Sequence, residues 1–495
     1  MSQKTLYEAF QHQVQSRPDA TALLLDADSK VACQCSWHEL SVVVNRAAER
    51  IEHQLNGDPT LPRRVTHLND NRDADIVIAL ASLALGTTEA PLDRRIESSE
   101  LLRRQALVGG VWLDDQFKEQ LKSELFELAS QRSNPETVCL TPQNNDQSTR
   151  CNPIHRSAEA ASLILWTSGT TSKPLPVLLS AEGQFANAAA KLKAAPQTQS
   201  DLRLTVLPLS HAYARTCDFG TWLLSGCTLA VCLGYQSMLR RLEQLEPHLI
   251  NTVPAMASRM LRERPKNLDH LRLLGCGGAP LDQSAFREWQ SWGVTVIQGY
   301  GLTETGPVIS SATPSNAAPG LVGKPVDGWE TAIKNGQLLV RGPHTMLGYL
   351  GQPEATQARM SADGWLATGD LVERDSTTQQ FRVLGRMDDV IVLASGRKLH
   401  PAGIEREAEQ IDGIQNALLY YQKNLQLWLN LENGIQLESV KDEVLQILSM
   451  QPTTIRCELK TFRPNLSTAT GELTAKGTIR RGHVIQQRLI DQAGS

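Results

Sequence analysis

Apolar positions recur along this chain with two different periods, and the two periods alternate. Near the N-terminus, Leu6, Phe10 and Val14 are spaced four residues apart, which predicts a helix. The segments "RVTHL" and "ADIVIALASLALG" come later and predict a short strand followed by a buried helix that ends at Gly86. Strands that alternate with helices in this way predict a parallel α/β sheet with helices on its faces.

The apolar pattern continues through the middle of the chain and then changes. The segments "ASLILW", "LRLTVLP", "CTLAVCL", "LRLLGCGG" and "VTVIQGYG" predict further strands, and some of them run into loops that carry Gly, Ser or His. Ligands gather at the carboxyl ends of strands in open parallel sheets. After about residue 336 the strands become shorter and turns more frequent, as in "GQLLVRGP" and "FRVLGRMDDVIVL", which predicts a small α+β region.

Composition narrows the class of protein. A chain of 495 residues is too long for a single core, so two or more domains are expected. With 41% hydrophobic and 21% charged residues it is typical of a soluble globular protein, and a net charge of −4 excludes the broad basic field that holds nucleic acid. The longest apolar stretch, residues 76–86, is shorter than the roughly 20 residues of a transmembrane segment. The scattered cysteines and the polar N-terminus predict a cytoplasmic enzyme with reduced thiols.

The segment "TSGTTSKPLP" follows the strand "ASLILW" and has the residue types of a phosphate-binding loop. Hydroxyl groups can donate to phosphate oxygens, a glycine lets backbone N–H groups approach, and a lysine adds positive charge. These residues are Thr167, Ser168, Gly169, Thr170, Thr171 and Lys173. The Walker A pattern is absent, and the segment taken alone is more typical of a polar turn after a strand.

A second segment, "VTVIQGYGLTETGP", supplies complementary chemistry. An apolar strand ends in Gly299, Tyr300 and Gly301, and Thr303 and Glu304 follow directly. A tyrosine ring can stack on a base, a threonine hydroxyl can meet a phosphate, and a glutamate oxygen can bind Mg²⁺. The spacing of the glycines does not fit a dinucleotide-binding fingerprint.

Taken together, these segments resemble the adenylate-forming superfamily, which includes acyl-CoA synthetases, luciferases and the adenylation domains of peptide synthetases. "TSGTTSKPLP" is similar to the superfamily's phosphate loop, and "GYGLTET" to its adenine and magnesium motif. Further similar motifs follow in the same order, namely "GGAP", "GQLLVRGPHTMLGYL", "GWLATGD", "GRMDDVIVLASGRKLHPAGIE" and "GELTAKGTIRR". The resemblance covers most of the chain, and several ordered motifs make it specific.

The resemblance implies a role for each matching residue. Gly278, Ala279 and Pro280 would lie along the adenine, while Asp370 and Arg386 would contact the ribose.

Glu304, with Thr170, would hold Mg²⁺. His211, in "LPLSHAYAR", would lie at the acyl end of the substrate. Asp388 resembles the position at which the C-terminal domain pivots. Lys476 resembles the mobile lysine that neutralises charge during adenylation, although aligning "TIRR" with some long-chain synthetases places Thr478 there instead.

Three residues of the phosphate loop depart from the superfamily's pattern. Ser172 replaces a glycine, Leu175 replaces a lysine, and Pro176 replaces a glycine and removes an N–H donor. We expect a stiffer loop with one charge fewer facing a triphosphate, and weak adenylation is one consistent outcome.

The expected fold is a large α/β N-terminal domain over residues 1–385, with parallel sheets, flanking helices and a small β subdomain, and a small mobile α+β domain over residues 386–495. The expected activity is that of an AMP-forming ligase with ATP, Mg²⁺ and CoA as cofactors and a medium- or long-chain fatty acid as substrate. Three alternatives stay open: loading of an acyl carrier protein, an aryl acid as substrate, and a nucleotide-binding homologue with little turnover.

Overall fold

The structure is a computed structural model. The residues that it describes are 4–26, 33–133, 160–167, 173–393, 398–422, 424–449, 457–467, 470–473 and 479–490. Two compact units are present. The first comprises Met1–Thr167, Leu175–Thr331 and Val340–Leu366, and the second comprises Ser168–Pro174, Ala332–Leu339 and Ala367–Ser495. The division into domains at residues 385 and 386 stays a prediction.

Strands and helices alternate over most of the chain, as the apolar pattern predicts. The strands are β1 (Thr21–Leu25), β2 (Cys33–Ser36), β3 (Arg64–Asn69), β4 (Thr88–Asp93), β5 (Val111–Leu113), β6 (Ala161–Trp166), β7 (Pro176–Ser180), β8 (Leu202–Thr205), β9 (Thr228–Val231), β10 (Leu249–Thr252), β11 (Leu273–Cys276), β12 (Thr295–Gly301), β13 (Val308–Ser311), β14 (Lys324–Pro325), β15 (Glu330–Lys334), β16 (Gln337–Arg341), β17 (Gly348–Tyr349), β18 (Leu366–Arg374), β19 (Phe381–Arg386), β20 (Ile391–Val392), β21 (Lys398–Leu399), β22 (Ile414–Tyr421), β23 (Leu425–Leu431) and β24 (Cys457–Thr461). The helices are α1 (Leu6–Ser16), α2 (Trp37–Gly57), α3 (Asp73–Ala84), α4 (Ser98–Val108), α5 (Asp115–Ser133), α6 (Ala181–Ala194), α7 (Ala212–Ala214), α8 (Thr221–Ser225), α9 (Gly234–Leu242), α10 (Pro254–Glu263), α11 (Gln283–Ser291), α12 (Pro353–Arg359), α13 (Pro401–Ala408), α14 (Leu437–Ser449) and α15 (Arg481–Val484).

Two large sheets form the first unit, and both are parallel at their centres. The nine-stranded sheet has the order β14-β13-β12-β11-β10-β8-β9-β1-β2, and the six-stranded sheet has the order β17-β7-β6-β4-β3-β5. The predicted parallel sheets are therefore confirmed. The edge strands β2, β13, β14, β7 and β17 are antiparallel, which the sequence reading did not predict. The connections that join β6 to β7 and β12 to β13 have too few residues for the crossover that a parallel pair of strands requires.

The core of the first unit lies between the sheets and their helices. Helix α3 is buried along almost its whole length, because it packs against α1, α2 and α5. This position explains the uninterrupted apolar run of its sequence. Trp37 and Trp222 stack at the centre of the core with ring centroids 4.9 Å apart. The helix predicted from Leu6, Phe10 and Val14 is α1.

The second unit is an α+β structure, as its mixed pattern predicts. Strands β22 and β23 form an antiparallel hairpin, and β24 adds to β23 in parallel. Helices α13 and α14 pack beside this sheet, with Ile404, Leu419, Leu427 and Val444 in the shared core. Strands β18 and β19 form a second antiparallel pair.

Candidate active site

The phosphate-loop segment connects two antiparallel strands of the six-stranded sheet. Trp166, the last residue of β6, pairs with Pro176, the first residue of β7. Thr167 closes the loop: its N–H donates to the Leu175 carbonyl (3.0 Å), and its Oγ1 accepts from the Leu175 N–H (2.9 Å). Thr167 therefore holds the base of the loop by its hydroxyl oxygen. Lys173 is exposed.

The second predicted segment forms a tight turn at the end of β12. Thr303, Glu304 and Thr305 make a single 3₁₀ turn, and the chain then reverses into β13. A Cβ on Gly301 would lie 1.6 Å from the Pro307 carbonyl oxygen, so only glycine permits this close approach. The glycine at 301 is therefore explained by the geometry of the turn.

Hydrogen bonds from two neighbouring segments anchor this turn. The Asn187 side chain, on α6, donates to the Val308 carbonyl (2.8 Å) and accepts from the Val308 N–H (2.9 Å). Thr216, on the turn that follows His211, donates from Oγ1 to the Gly306 carbonyl (2.6 Å). No signal in the single sequence pointed to Asn187 or Thr216.

Glu304 is held by a buried tyrosine. The Tyr349 hydroxyl donates to Glu304 Oε1 (2.8 Å), and Tyr349 and Glu304 are only 5% and 6% exposed. Burial and the adjacent Glu304 charge raise the pKa of Tyr349, which keeps the phenol protonated as a donor. Tyr349 also pairs with Val177, so strand β7 and Glu304 are attached to the same small strand. The motif "GQLLVRGPHTMLGYL" contains Tyr349, but the sequence alone assigned it no role.

His211 directly precedes the short helix α7 and lies beside the end of β4. Its Nε2 is 3.4 Å from Asp93 Oδ2, and the His211 side chain is 40% exposed. Burial acts to raise the pKa of Asp93, but hydrogen bonds from Arg95 and His211 outweigh it and hold that pKa well below its usual range. The next aromatic residue, Tyr213, covers the end of β11, where a Cβ on Gly277 would lie 3.1 Å from the ring.

The remaining residues predicted to contact adenine lie at strand ends of the same sheet. Gly278, Ala279 and Pro280 are exposed directly after β11, and Gly278 has a φ of +83°. Gly299 and Tyr300 lie on the neighbouring strand β12, where Tyr300 is partly exposed and pairs with Ser310. The carboxyl ends of adjacent parallel strands thus carry both groups of residues.

The two predicted ribose-binding residues meet in the second unit. Asp370 and Arg386 are direct partners across β18 and β19, and Arg386 Nη1 donates to Asp370 Oδ1 (3.0 Å). Asp370 is 5% exposed, so its carboxylate is fixed by this ion pair. Asp388 is exposed in the turn that follows β19.

Several predicted residues lie outside the described part of the chain. They are Ser168, Gly169, Thr170, Thr171, Lys476 and the alternative Thr478. Within the described ranges, no group of three His, Cys, Asp or Glu side chains is arranged to hold a metal ion. A lone carboxylate such as Glu304, fixed by Tyr349, suits Mg²⁺ that keeps water and phosphate oxygens as its other ligands. None of the described helices combines the length and the apolar character needed to cross a membrane.

The fold is similar to that of solved structures that contain a bound adenine nucleotide. O-succinylbenzoate coenzyme A synthetase (MenE) from Bacillus subtilis in complex with AMP has a TM-score of 0.77 at 21% identity, with 97% of this chain and 98% of that chain covered. ATP-bound MatB from Rhodopseudomonas palustris has a TM-score of 0.80 at 19% identity, with 98% and 99% covered. At these identities the similarity defines the class of fold, which is that of the adenylate-forming proteins.

The sequence comparison identifies the family. A family profile described as "AMP-binding enzyme" matches residues 10–350, and the chain belongs to this family. A feruloyl-CoA synthase from Amycolatopsis sp is 29% identical over 271 residues, which cover 51% of this chain and 55% of the relative. A long-chain-fatty-acid–CoA ligase from Yersinia pestis is 31% identical over 271 residues, covering 48% and 46%. The aligned region thus spans about half the length of these curated relatives.

Proposed function

We propose that this protein is an ATP-dependent acid–CoA ligase. It would join a carboxylic acid to AMP with release of pyrophosphate and then transfer the acyl group to the thiol of CoA. The observation that carries the proposal is the Glu304 turn, which Tyr349 holds at the carboxyl end of the central parallel sheet. Membership of the AMP-binding enzyme family and relatives named as CoA ligases support it.

The first step needs a site that brings two anions together. One oxygen of the substrate carboxylate attacks the α-phosphorus of ATP, and the bond from that phosphorus to the bridging oxygen breaks as pyrophosphate leaves. We assign the triphosphate to the loop that starts at Thr167 and to Lys173, and the ribose hydroxyls to Asp370 with Arg386. Lys476 would neutralise the charge that develops on the α-phosphate.

Mg²⁺ would be bound by Glu304, and when bound it neutralises charge on the phosphate oxygens and orients them. The chain's own contribution is a fixed carboxylate: the Tyr349 hydroxyl donates to one oxygen of Glu304, and the carboxylate held in this way would be a ligand for the ion.

In the second step the sulfur of CoA attacks the acyl carbonyl carbon, and the bond from that carbon to the AMP oxygen breaks. The thiol proton passes to water, and AMP leaves as a stable anion. A phosphopantetheine thiol on an acyl carrier protein could accept the same acyl group by the same chemistry, so acceptor specificity is a separate question from adenylation.

Two classes of acid fit His211 and its surroundings. The sequence "LPLSHAYAR" favours a medium- or long-chain fatty acid. An aryl acid is the second candidate: Tyr213 follows His211 by two residues, and its ring packs against Gly277 directly after β11, beside the residues predicted to contact adenine. The relatives named as feruloyl-CoA synthase and long-chain-fatty-acid–CoA ligase include one of each class.

The test is pyrophosphate release with ATP and Mg²⁺ across fatty and aryl acids, with CoA, with a carrier protein, and with neither. Release that depends on one class of acid, with a thioester formed only when CoA is present, is the expected result. Failure of every acid to release pyrophosphate, despite measurable ATP binding, would reject ligase activity and favour a nucleotide-binding homologue.

A further inference from the structure

Strand β4 presents two acidic side chains to the turn that carries His211. Glu89 and Asp93 are four residues apart on β4, so their side chains point to the same face of the sheet. Asp93 Oδ2 lies 3.4 Å from His211 Nε2, and Glu89 forms a buried ion pair with Arg215. The turn from His211 to Arg215 is therefore attached to β4 at both of its ends.

The Glu89–Arg215 contact is more deeply buried than the Asp93–His211 contact, and this difference indicates different functions for the two. Glu89 and Arg215 are 1% and 2% exposed. Arg215 contacts Glu89 Oε2, and His67 Nε2 lies 3.0 Å from the other oxygen, Glu89 Oε1. Removing either residue would leave the other as a buried charge without its partner, which is costly. We therefore assign the Glu89–Arg215 pair to holding the backbone of the turn. The Asp93 contact lies at the exposed end and reaches the imidazole ring itself.

We propose that Asp93 is a positioning residue for His211, and this inference rests on the proposed ligase function. Of the two neutral forms of the ring, a carboxylate acceptor at Nε2 favours the one that carries its proton on Nε2 and leaves Nδ1 unprotonated. Asp93 is suited to this role because Arg95 holds it: Arg95 donates from Nε to Oδ1 (2.9 Å) and from Nη2 to Oδ2 (2.6 Å). The ring of His211 is then held in one orientation toward the acyl end of the substrate.

The Asp93→Ala variant tests the proposal with little risk to folding. Arg95 is 47% exposed, so its charge stays hydrated when the carboxylate is removed. We expect the KM for the carboxylic acid to rise about tenfold, the size of one lost hydrogen bond to a charged group, with the KM for ATP changed less than about twofold. Asp93→Asn keeps an acceptor oxygen and should recover most of the loss.

The chain offers a matched control. Asp201, in the same unit, also accepts two hydrogen bonds from an arginine, Arg272, and lies 3.9 Å from the ring of His248. Its side chain is 7% exposed, against 10% for Asp93. Asp201→Ala removes the same carboxylate from the same kind of cluster and should leave the KM for the acid unchanged.

A double-mutant comparison separates positioning from general damage. In a His211→Ala background, Asp93→Ala should change kcat/KM for the acid by less than about twofold, because the residue through which it acts is gone. An undiminished tenfold loss in that background would overturn the proposal.

An NMR measurement tests the positioning role of Asp93 independently of enzyme activity. The ¹³Cδ2 chemical shift of His211 reports its ring form in perdeuterated protein labelled only at histidine, and the His211→Gln variant assigns the signal. We expect the Nε2-protonated form in the wild type and a shift toward the other forms in Asp93→Ala. An unchanged signal would refute the role of Asp93, whereas a wild type that activates no acid would refute the ligase function alone.

Discussion

The contact between Tyr349 and Glu304 makes the strongest prediction for the candidate site. Tyr349→Phe removes one hydroxyl group and keeps the ring, so no cavity forms beside β7. Glu304 then loses the donor to its Oε1. Because Glu304 is 6% exposed, water replaces that donor only in part. The carboxylate becomes free to rotate away from the orientation in which it would bind Mg²⁺.

The size of the effect follows from the kind of bond that is lost. A hydrogen bond to a charged group contributes about 1.5–3 kcal/mol, and 1.4 kcal/mol corresponds to a factor of ten in an equilibrium constant. We therefore expect Mg²⁺·ATP to bind at least about tenfold more weakly to Tyr349→Phe. The free energy of unfolding should also fall, by about 1–2 kcal/mol, since the buried carboxylate loses a partner.

Isothermal titration calorimetry with Mg²⁺·ATP, together with urea denaturation, measures both quantities. Tyr235→Phe is the control, because it removes the hydroxyl of a tyrosine on α9 that lies near the exposed Glu263 of α10; burial and Glu263 raise the pKa of Tyr235 to about 12. The control should bind Mg²⁺·ATP as the wild type does. If Tyr349→Phe binds within about twofold of the wild type while Glu304→Gln binds weakly, Tyr349 does not hold Glu304 for the ion.

Three further predictions concern the sequence motifs and one buried acid. Lys476→Ala should abolish pyrophosphate release but retain ATP binding, and the same loss on Thr478→Ala alone would reject the choice of lysine. Leu175→Lys should lower the KM for ATP about two- to tenfold in steady-state assays, because it adds a positive charge to the loop. Both hydrogen bonds of Leu175 with Thr167 are made by its backbone, so they survive the change. An unchanged KM would contradict the binding of a triphosphate at this loop. Burial raises the pKa of Asp73 to about 6 from an ordinary value of 3.8, so the folded protein holds that proton more tightly and its stability falls by up to about 3 kcal/mol from about pH 4 to pH 6. Asp73→Asn should remove this loss, so its stability relative to the wild type, measured by urea denaturation, should rise over that pH range.

The motifs predicted those site residues whose own side-chain chemistry indicates a role, and they did not predict the residues that hold them in place. "GYGLTET" indicated Glu304, and the structure places it at a strand end where a ligand would be expected. The three groups that hold the Glu304 turn, Asn187, Thr216 and Tyr349, come from distant parts of the chain. A single sequence cannot pair residues that are far apart, because only the fold brings them within hydrogen-bonding distance.

The sequence by itself determined the local periods, the class of fold and the order of the motifs. An amphipathic period such as that of α1, a buried run such as α3 and a short apolar strand such as β6 are properties of neighbouring residues, so they are visible without a structure. Tertiary structure decided the antiparallel edges of both sheets and the pairing of Asp370 with Arg386 across β18 and β19. It also decided the contact of Asp93 with His211. These depend on the register and order of strands, which are set by packing over the whole unit rather than by any local segment.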